Sequence, residues 1–163
     1  MQLVVEASTQ LLALSDLGVS REEARELVDQ AIADGSAVAA YERWIAAQGG
    51  NPDEAALPRA SLIQEVVAPR AGFVRSLGAV QVGNAALHLG AGRRGKDDEI
   101  DHAVGVVCIK KHGDEISPGD ILAEIHARDE PGAATAADEV LAAYEIGDEA
   151  PRERSVILDV ITA

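Results

Sequence analysis

Apolar side chains recur with the period of an α-helix through the first fifty residues. Near the N-terminus they occupy every third or fourth position, which predicts a helix with one apolar face: Leu3, Ala7, Leu11 and Leu14. A second helix is predicted in "SREEARELVDQAIADG", where Ser20 and Glu23 have capping-box spacing and Gly35 suits the C-terminal end. A third helix runs through "AVAAYERWIAAQ" and ends at the glycine pair that follows it.

Two prolines in "NPDEAALPRA" interrupt this pattern and predict a linker at residues 51–60. Beyond the linker, four segments are predicted to be strands: "SLIQEVVAP", "GFVRSLG", the apolar run at residues 104–109 and "ILAEIHA". The first two are joined by a turn, and the last two form a hairpin whose first strand is buried. Helices are predicted for "AVQVGNAALHLG" and "AATAADEVLAAYEIG", and a closing strand for "RSVILDVIT", which is rich in β-branched residues. The sequence therefore predicts an α+β fold with a helical N-terminal part.

Composition narrows the class of protein. Hydrophobic residues make up 47% of the 163-residue chain but aromatic residues only 2%, so the core is predicted to be aliphatic. The formal net charge of -14 argues against a surface for nucleic acid or anionic lipid, which needs clustered Lys and Arg. Cys108 is the single cysteine, which fits a reducing, cytoplasmic setting. The apolar N-terminal stretch lacks a basic region and is too short to span a bilayer, so no membrane association is expected.

The stretch "LGAGRRGKDDEID" contains Gly90, Gly92 and Gly95 in the order G-x-G-x-x-G, the fingerprint of a dinucleotide-binding loop. That fingerprint works where a strand enters the loop and a helix leaves it, because the pyrophosphate lies on the helix N-terminus. Here a predicted helix precedes residues 90–98, the glycine loop, and a predicted strand follows it. The acidic residues after Lys96 would also repel a phosphate. We therefore expect no NAD or ATP site.

Other candidate residues have structural interpretations. The four histidines lie on different predicted elements without a metal-binding spacing, so no metal site is expected: His88, His102, His112 and His126. Ser20 and Ser36 precede helical stripes and are predicted to be helix caps. Cys108 lies within an apolar run, where burial would keep its thiol protonated and unreactive.

Several segments, in order, resemble the C-terminal region of the pyrimidine-nucleoside phosphorylases and thymidine phosphorylases: "AAQGGNP", "VVAPRAGFV", "VGNAALHLGAGR", "KDDEIDHAVGVVCIKKHGDEISPGD" and "ILAEIHA". The resemblance covers roughly residues 46–127. It implies that residues 1–50 are the helical end of the catalytic domain and residues 51–60 a linker. Residues 61–163 would then be the family's C-terminal domain, with an α/β-hammerhead or barrel-sandwich-like architecture.

The resemblance implies a transferase of pyrimidine salvage in which phosphate displaces the base from C1 of a (deoxy)ribose. The expected parent is a cytoplasmic homodimer that takes nucleoside and phosphate and needs no cofactor. In the family, a Lys-x-Gly-Ser segment, a phosphate loop and an Arg, Ser and Lys clamp bind the substrates. None of Lys96, Lys110 and Lys111 is followed by x-Gly-Ser, so we expect no catalytic residue here and no activity of the chain alone.

Two interpretations of the glycine loop are open: a plain connection whose glycines permit positive φ, or a lid that closes over sugar and phosphate. Family resemblance favours the second. The candidate closure residues are six: Gly90, Gly92, Arg93, Arg94, Gly95 and Lys96.

Two other classes of function are possible. "APRAGFV" and "GVVCIKKHGDEISPGDILAEI" have the glycine and aspartate rhythm of lipoyl and biotinyl carrier domains. Carriers need a modifiable lysine in a setting such as Met-Lys-Met or Asp-Lys-Ala, and this sequence contains neither tripeptide. The third class is a stand-alone interaction module.

Overall fold

The computed structural model describes residues 1–153, 155 and 157–161. These residues form two compact units. The first contains Met1–Ala56 and the described residues after 153, and the second contains Leu57–Glu153.

The first unit contains the three helices that the hydrophobic pattern predicts: α1 (Gln2–Ala13), α2 (Arg21–Ala33) and α3 (Ser36–Ala47). The capping box is confirmed, because Ser20 Oγ accepts the Glu23 N–H at 3.2 Å and the Glu23 carboxylate accepts the Ser20 N–H at 2.8 Å. Gly35 follows α2 in the left-handed region, with φ +76°. The prediction that Ser36 is a cap is wrong: Ser36 begins α3, and its N–H donates to the Asp34 carboxylate at 2.9 Å.

The helices of the first unit bury few side chains. Val5 and Thr9 of α1 are buried, as are Ala24 and Val28 of α2. The leucines whose spacing predicts α1 are instead largely uncovered, with Leu14 82% exposed. Other exposed apolar residues of the three helices are Leu3, Leu11, Leu27, Val38, Tyr41 and Trp44. The pattern therefore predicts the helices correctly, but much of their apolar surface has no cover in the described part of the chain.

The second unit contains two three-stranded antiparallel sheets and two helices. Its elements, in chain order, are β1 (Leu62–Val67), β2 (Gly72–Leu77), α4 (Ala79–Ala86), a π-helical turn (Leu87–Ala91), β3 (Gly105–Cys108), β4 (Glu115–Ile116), β5 (Ile121–Ala127), α5 (Glu130–Ala143) and β6 (Tyr144–Gly147). The strand orders are β1-β5-β3 and β4-β2-β6. The predicted α+β class is confirmed.

Helix α5 covers one face of the sheet formed by β1, β5 and β3. Its buried residues are mostly alanines, which let its backbone lie close to the strands: Ala133, Ala136, Ala137, Val140 and Ala143. The largest fully buried side chains around it are aliphatic, namely Leu122, Ile125 and Val74. The prediction of an aliphatic core is therefore confirmed for the second unit.

Strands β1 and β3 lie at the two edges of their sheet, on either side of β5. The predicted pairing of β3 with β5 is confirmed, with Val106 opposite Ile125. The expected burial of residues 104–109 is confirmed for Val104 but wrong for Val107 and Ile109, which are 48% and 43% exposed, because β3 is an edge strand. On β1, Glu65 lies directly opposite Glu124 of β5.

The C-terminal end of α5 differs from the prediction. The sequence predicts a helix through "YEIG", but Tyr144 is extended, with φ -84° and ψ 124°, and begins β6. β6 pairs with β2, where Leu77 lies opposite Tyr144. Strand pairing thus overrides the local helical pattern at this point.

The predicted closing strand "RSVILDVIT" includes Arg154, Val156 and Thr162, which lie outside the described residues. Its described part, residue 155 and residues 157–161, has an irregular backbone. The prediction of a strand is wrong for that part.

The Tyr144 side chain connects the two sheets of the second unit. It is 8% exposed, and its hydroxyl lies 2.7 Å from the Leu122 carbonyl oxygen and 3.0 Å from that of Lys110. The Leu122 carbonyl also accepts the N–H groups of Ile109, at 2.9 Å, and Lys110, at 3.0 Å. Burial is the main cause that raises the pKa of the Tyr144 hydroxyl, so it stays a hydrogen-bond donor.

Replacing Tyr144 with Phe should lower the free energy of unfolding by about 1 to 2 kcal/mol, because the buried hydroxyl bond to Leu122 is lost. Urea denaturation followed by circular dichroism measures the change. Tyr41→Phe is the matched control, since Tyr41 is 52% exposed, and should shift stability by less than about 0.5 kcal/mol. Equal effects of the two substitutions would contradict the assigned connection between the sheets.

Limited proteolysis should cut the chain within residues 51–56, which are mostly exposed and contain a single short 3-10 turn, Glu54–Ala56. A glutamate-specific protease should cleave at Glu54 before any site in α5 and leave a resistant C-terminal piece. Mass spectrometry of the products identifies the first cut. Early cleavage at Glu139, within α5, would show that the second unit does not hold its core.

Candidate functional site

The candidate site is the glycine loop, which the structure places between a helical segment and a strand. Helix α4 continues into the π-helical turn, where Gly90 has φ +103°, and β3 follows the loop. Within the described residues no helix begins at the loop. These flanks are the reverse of the arrangement that presents a helix N-terminus to a pyrophosphate.

A turn inside the loop is held by Asp98. Its Oδ2 accepts the backbone N–H groups of Arg94 and Gly95, each at 2.9 Å. These backbone hydrogen bonds, that from Gly95 first, lower the pKa of the Asp98 carboxyl, which therefore remains ionised. Asp98, one of the acidic residues of the loop, thus stabilises the loop's own backbone.

The cations of the loop are exposed. Arg93, Arg94 and Lys96 all lie at the surface, and within the described residues none of them forms an ion pair. They concentrate three positive charges in four positions of a chain that carries 14 basic and 28 acidic residues. This arrangement leaves the cations free to meet an anionic group.

The base of the loop is closed by Asp101. Its N–H donates to the Gly90 carbonyl at 3.0 Å, which brings the two ends of the loop together. Its carboxylate accepts two hydrogen bonds from Arg128, from Nε at 2.6 Å and from Nη2 at 2.8 Å. The Arg128 guanidinium is the main cause that lowers the pKa of Asp101 to about 2, and the hydrogen bond from the Ala103 N–H adds to it.

A second contact ties the helical approach to the loop. His88, in the π-helical turn, has Nδ1 2.9 and 3.0 Å from the two carboxylate oxygens of Glu139 on α5. The segment that leads into the loop is therefore attached to the helix that covers the core. The sequence predicts an ordinary role for His88, and a contact with Glu139 is such a role.

The other histidines lie apart. His126 is on β5, with Nε2 3.6 Å from Glu124 Oε2, while His102 follows the loop and His112 follows β3. In the part of the chain that the structure describes, no three His, Cys, Asp or Glu side chains come together as a metal site would require. Cys108 ends β3 and is half-buried, so its expected full burial is wrong.

The two lysines between β3 and β4 hydrogen-bond to backbone carbonyl groups. Lys110 Nζ donates to the Glu115 carbonyl at 3.3 Å and lies 3.5 Å from the Asp120 carboxylate. Lys111 Nζ donates to the Cys108 carbonyl at 2.5 Å. Both ammonium groups therefore fold back onto the segment between β3 and β5 instead of extending from a hairpin tip.

Sequence reasoning finds the loop but misses the residues that hold it. Asp101 and Arg128 are 27 positions apart and share no motif, so their contact is visible only after β5 has paired with β3. Glu139 and His88 are 51 positions apart.

None of the described helices is both long enough and apolar enough to cross a membrane.

Comparison with known proteins gives consistent matches. Residues 73–147 match the family model for the pyrimidine nucleoside phosphorylase C-terminal domain. The chain is 38% identical over 133 residues to a pyrimidine-nucleoside phosphorylase of Geobacillus stearothermophilus, covering 79% of this chain and 31% of that protein. It is 37% identical over 151 residues to a thymidine phosphorylase of Burkholderia orbicola, covering 88% of this chain and 34% of that protein. The chain thus spans about a third of the length of these curated relatives.

Calorimetric titration of the chain with NAD or ATP should give no binding heat, because within the described residues no helix begins at the loop to receive a pyrophosphate. Gly92→Val is the informative variant, since it changes the central glycine of the fingerprint. It should leave the titration unchanged. Tight nucleotide binding that Gly92→Val abolishes would contradict this interpretation of the loop.

Proposed function

Because residues 73–147 belong to the pyrimidine nucleoside phosphorylase C-terminal domain family, we propose that this chain is the C-terminal part of a pyrimidine-nucleoside phosphorylase. In the proposed reaction, phosphate attacks C1 of the (deoxy)ribose and the pyrimidine leaves. The products are the free base and the sugar 1-phosphate. The observation that carries the proposal is the family match, supported by relatives named for this activity.

Residues 1–50 are proposed to be the helical end of the catalytic domain, residues 51–60 the linker and residues 61–163 the C-terminal domain. The match that covers 88% of the chain must reach well into residues 1–50, which supports this division. The exposed apolar side chains of α1–α3, such as Leu14 and Trp44, give independent support. Soluble domains rarely leave such faces uncovered, and a larger catalytic domain would cover them.

Phosphorolysis needs cationic and N–H donors around the phosphate and polar groups that stabilise the departing base. Lys110 and Lys111 are occupied by carbonyl groups of the fold, so they are poor candidates for a phosphate site. We therefore propose that the described residues supply no catalytic group and that the chain alone is inactive.

The glycine loop is proposed to be the closure element of the parent enzyme. Its exposed cations, Arg93 and Lys96 above all, would complement bound phosphate or an acidic edge of the catalytic domain. The parent is proposed to be a cytoplasmic homodimer with phosphate as co-substrate, no further cofactor and no nucleic-acid partner. Family membership supports the substrates, and the net charge of -14 supports the absence of nucleic-acid binding.

The chain alone should release no thymine or uracil from thymidine or uridine above a control without protein. A fusion protein tests whether the chain supports phosphorolysis. In this fusion, the part of the Geobacillus stearothermophilus enzyme that lies outside the match is joined to this chain. The fusion should show phosphate-dependent turnover, because both domains are then present. The same part of that enzyme without this chain is the control.

Turnover by the chain alone would contradict its proposed inactivity. A folded fusion without turnover would contradict the proposed function. Liquid chromatography of the released base measures both outcomes.

A further inference from the structure

One backbone contact closes the base of the glycine loop. It is the 3.0 Å hydrogen bond from the N–H of Asp101, which lies three residues after the loop, to the carbonyl of Gly90 at its start. Gly90 lies in the positive-φ region, at +103°, and a Cβ there would lie 3.8 Å from the Asp101 Cβ. Between these two residues the chain is largely exposed, and Asp98 braces only its own turn. The position of the loop on the second unit therefore depends on what holds Asp101.

Arg128 holds Asp101 from a rigid part of the fold. It lies between the last residue of β5, Ala127, which is fully buried, and Asp129, which caps α5 by accepting the Gly132 N–H at 2.7 Å. The planar guanidinium binds the carboxylate with two donors, at 2.6 and 2.8 Å. This two-donor contact between Arg128 and Asp101 is called the fork below. It fixes the orientation of the Asp101 carboxylate as well as its distance, which a lysine ammonium would not do.

The same arginine reaches the start of the second unit. Its Nη1 donates to the Arg59 carbonyl at 3.4 Å, and its own carbonyl accepts the Ser61 hydroxyl at 3.0 Å. Arg128 thus contacts residues 59–61 and, through Asp101, both ends of the glycine loop. No sequence motif connects these three segments.

We propose that Asp101 and Arg128 are positioning residues that fix the base of the glycine loop to residues 59–61, so that the loop presents its cations from one defined place. The fork is internal to the second unit and is a property of this chain alone. Its relevance to catalysis rests on the proposed function.

The fork is ionised over a wide pH range, because the pKa of Asp101 is lowered to about 2 while the Arg128 pKa is raised by the same contact. His102 is the other titratable side chain whose electrostatic interaction lowers the pKa of Asp101. The stabilisation is fully present above the ordinary Asp pKa of 3.8 and is lost as the pH falls through about 2. Measurements near pH 6 therefore observe the intact pair.

The test compares the wild-type chain with Asp101→Asn, which keeps the size and one acceptor oxygen but removes the charge. In the wild type, the Arg128 Nε–H should give a slowly exchanging NMR signal, and the Asp101 amide should be protected. In Asp101→Asn the Nε–H signal should vanish, and the amide at position 101 should exchange about tenfold faster. Asp97→Asn is the matched control, since Asp97 is exposed and makes no hydrogen bond or ion pair within the described residues.

Two further readouts separate positioning from general stability. Amides of β5 and α5, such as Ile125 and Val140, should keep their protection in Asp101→Asn, because the core is unchanged. Asp98→Asn should expose the amides of Arg94 and Gly95 but leave the amide at 101 protected. If Asp101→Asn does not fold, Arg128→Lys replaces it: this variant keeps the positive charge but cannot bind the carboxylate with two planar donors, so the amide at position 101 should again exchange about tenfold faster.

The proposal is overturned if Asp101→Asn behaves like Asp97→Asn, or if the protection of β5 falls together with that of the loop. In the fusion described above, Asp101→Asn should lower kcat/KM about tenfold, mainly through a higher KM, and Asp97→Asn should not. Failure of the wild-type fusion would reject the phosphorylase proposal alone, because the exchange measurements use this chain without substrate.

Discussion

The packing of α5 against the sheet of β1, β5 and β3 is the interaction on which the second unit depends. Its alanines allow the helix backbone to approach the strands closely, so the buried side chains of β1 and β5 are covered without a large aromatic residue on the helix. Residues at the two ends of the helix then position the glycine loop and the second sheet. At its N-terminal end Arg128 and Asp129 hold the glycine loop and the helix cap, and at its C-terminal end Tyr144 starts the strand that joins the second sheet.

Short stretches of the sequence predict many helix ends and turns of this fold, because neighbouring residues determine these features. The capping box at Ser20 and the left-handed Gly35 are read directly from residue type and spacing. The pattern fails where a distant strand decides the conformation, as at Tyr144, which pairs with β2 although the preceding residues are helical. It also fails on burial, since periodicity in α1 identifies an apolar face but does not say what covers it. The predicted closing strand also fails in its described part, residues 155 and 157–161, because β-branched residues form a strand only beside a partner strand.

The candidate site shows the same division. The glycine loop and its cations are evident in the sequence, and the family resemblance is carried by short motifs around it. The contacts that place the loop join residues 27 and 69 positions apart, and only the folded chain brings them together. Whether a G-x-G-x-x-G stretch binds a nucleotide depends on the secondary-structure elements on either side of it. Here a π-helical turn leads into the loop and an edge strand follows it, and of the three glycines Gly90 has a positive φ.

The edge position of β1 has a consequence for the behaviour of the chain in concentrated solution. An edge strand exposes unpaired backbone groups to other molecules, and β1 also presents the apolar side chains of Ile63 and Val67. Glu65, in the middle of the strand and opposite Glu124, places like charges on that face, at a small cost in sheet stability. As the pH approaches the isoelectric point of about 4.5, the net negative charge that keeps copies of the chain apart falls, and the colloidal stability of the chain falls with it.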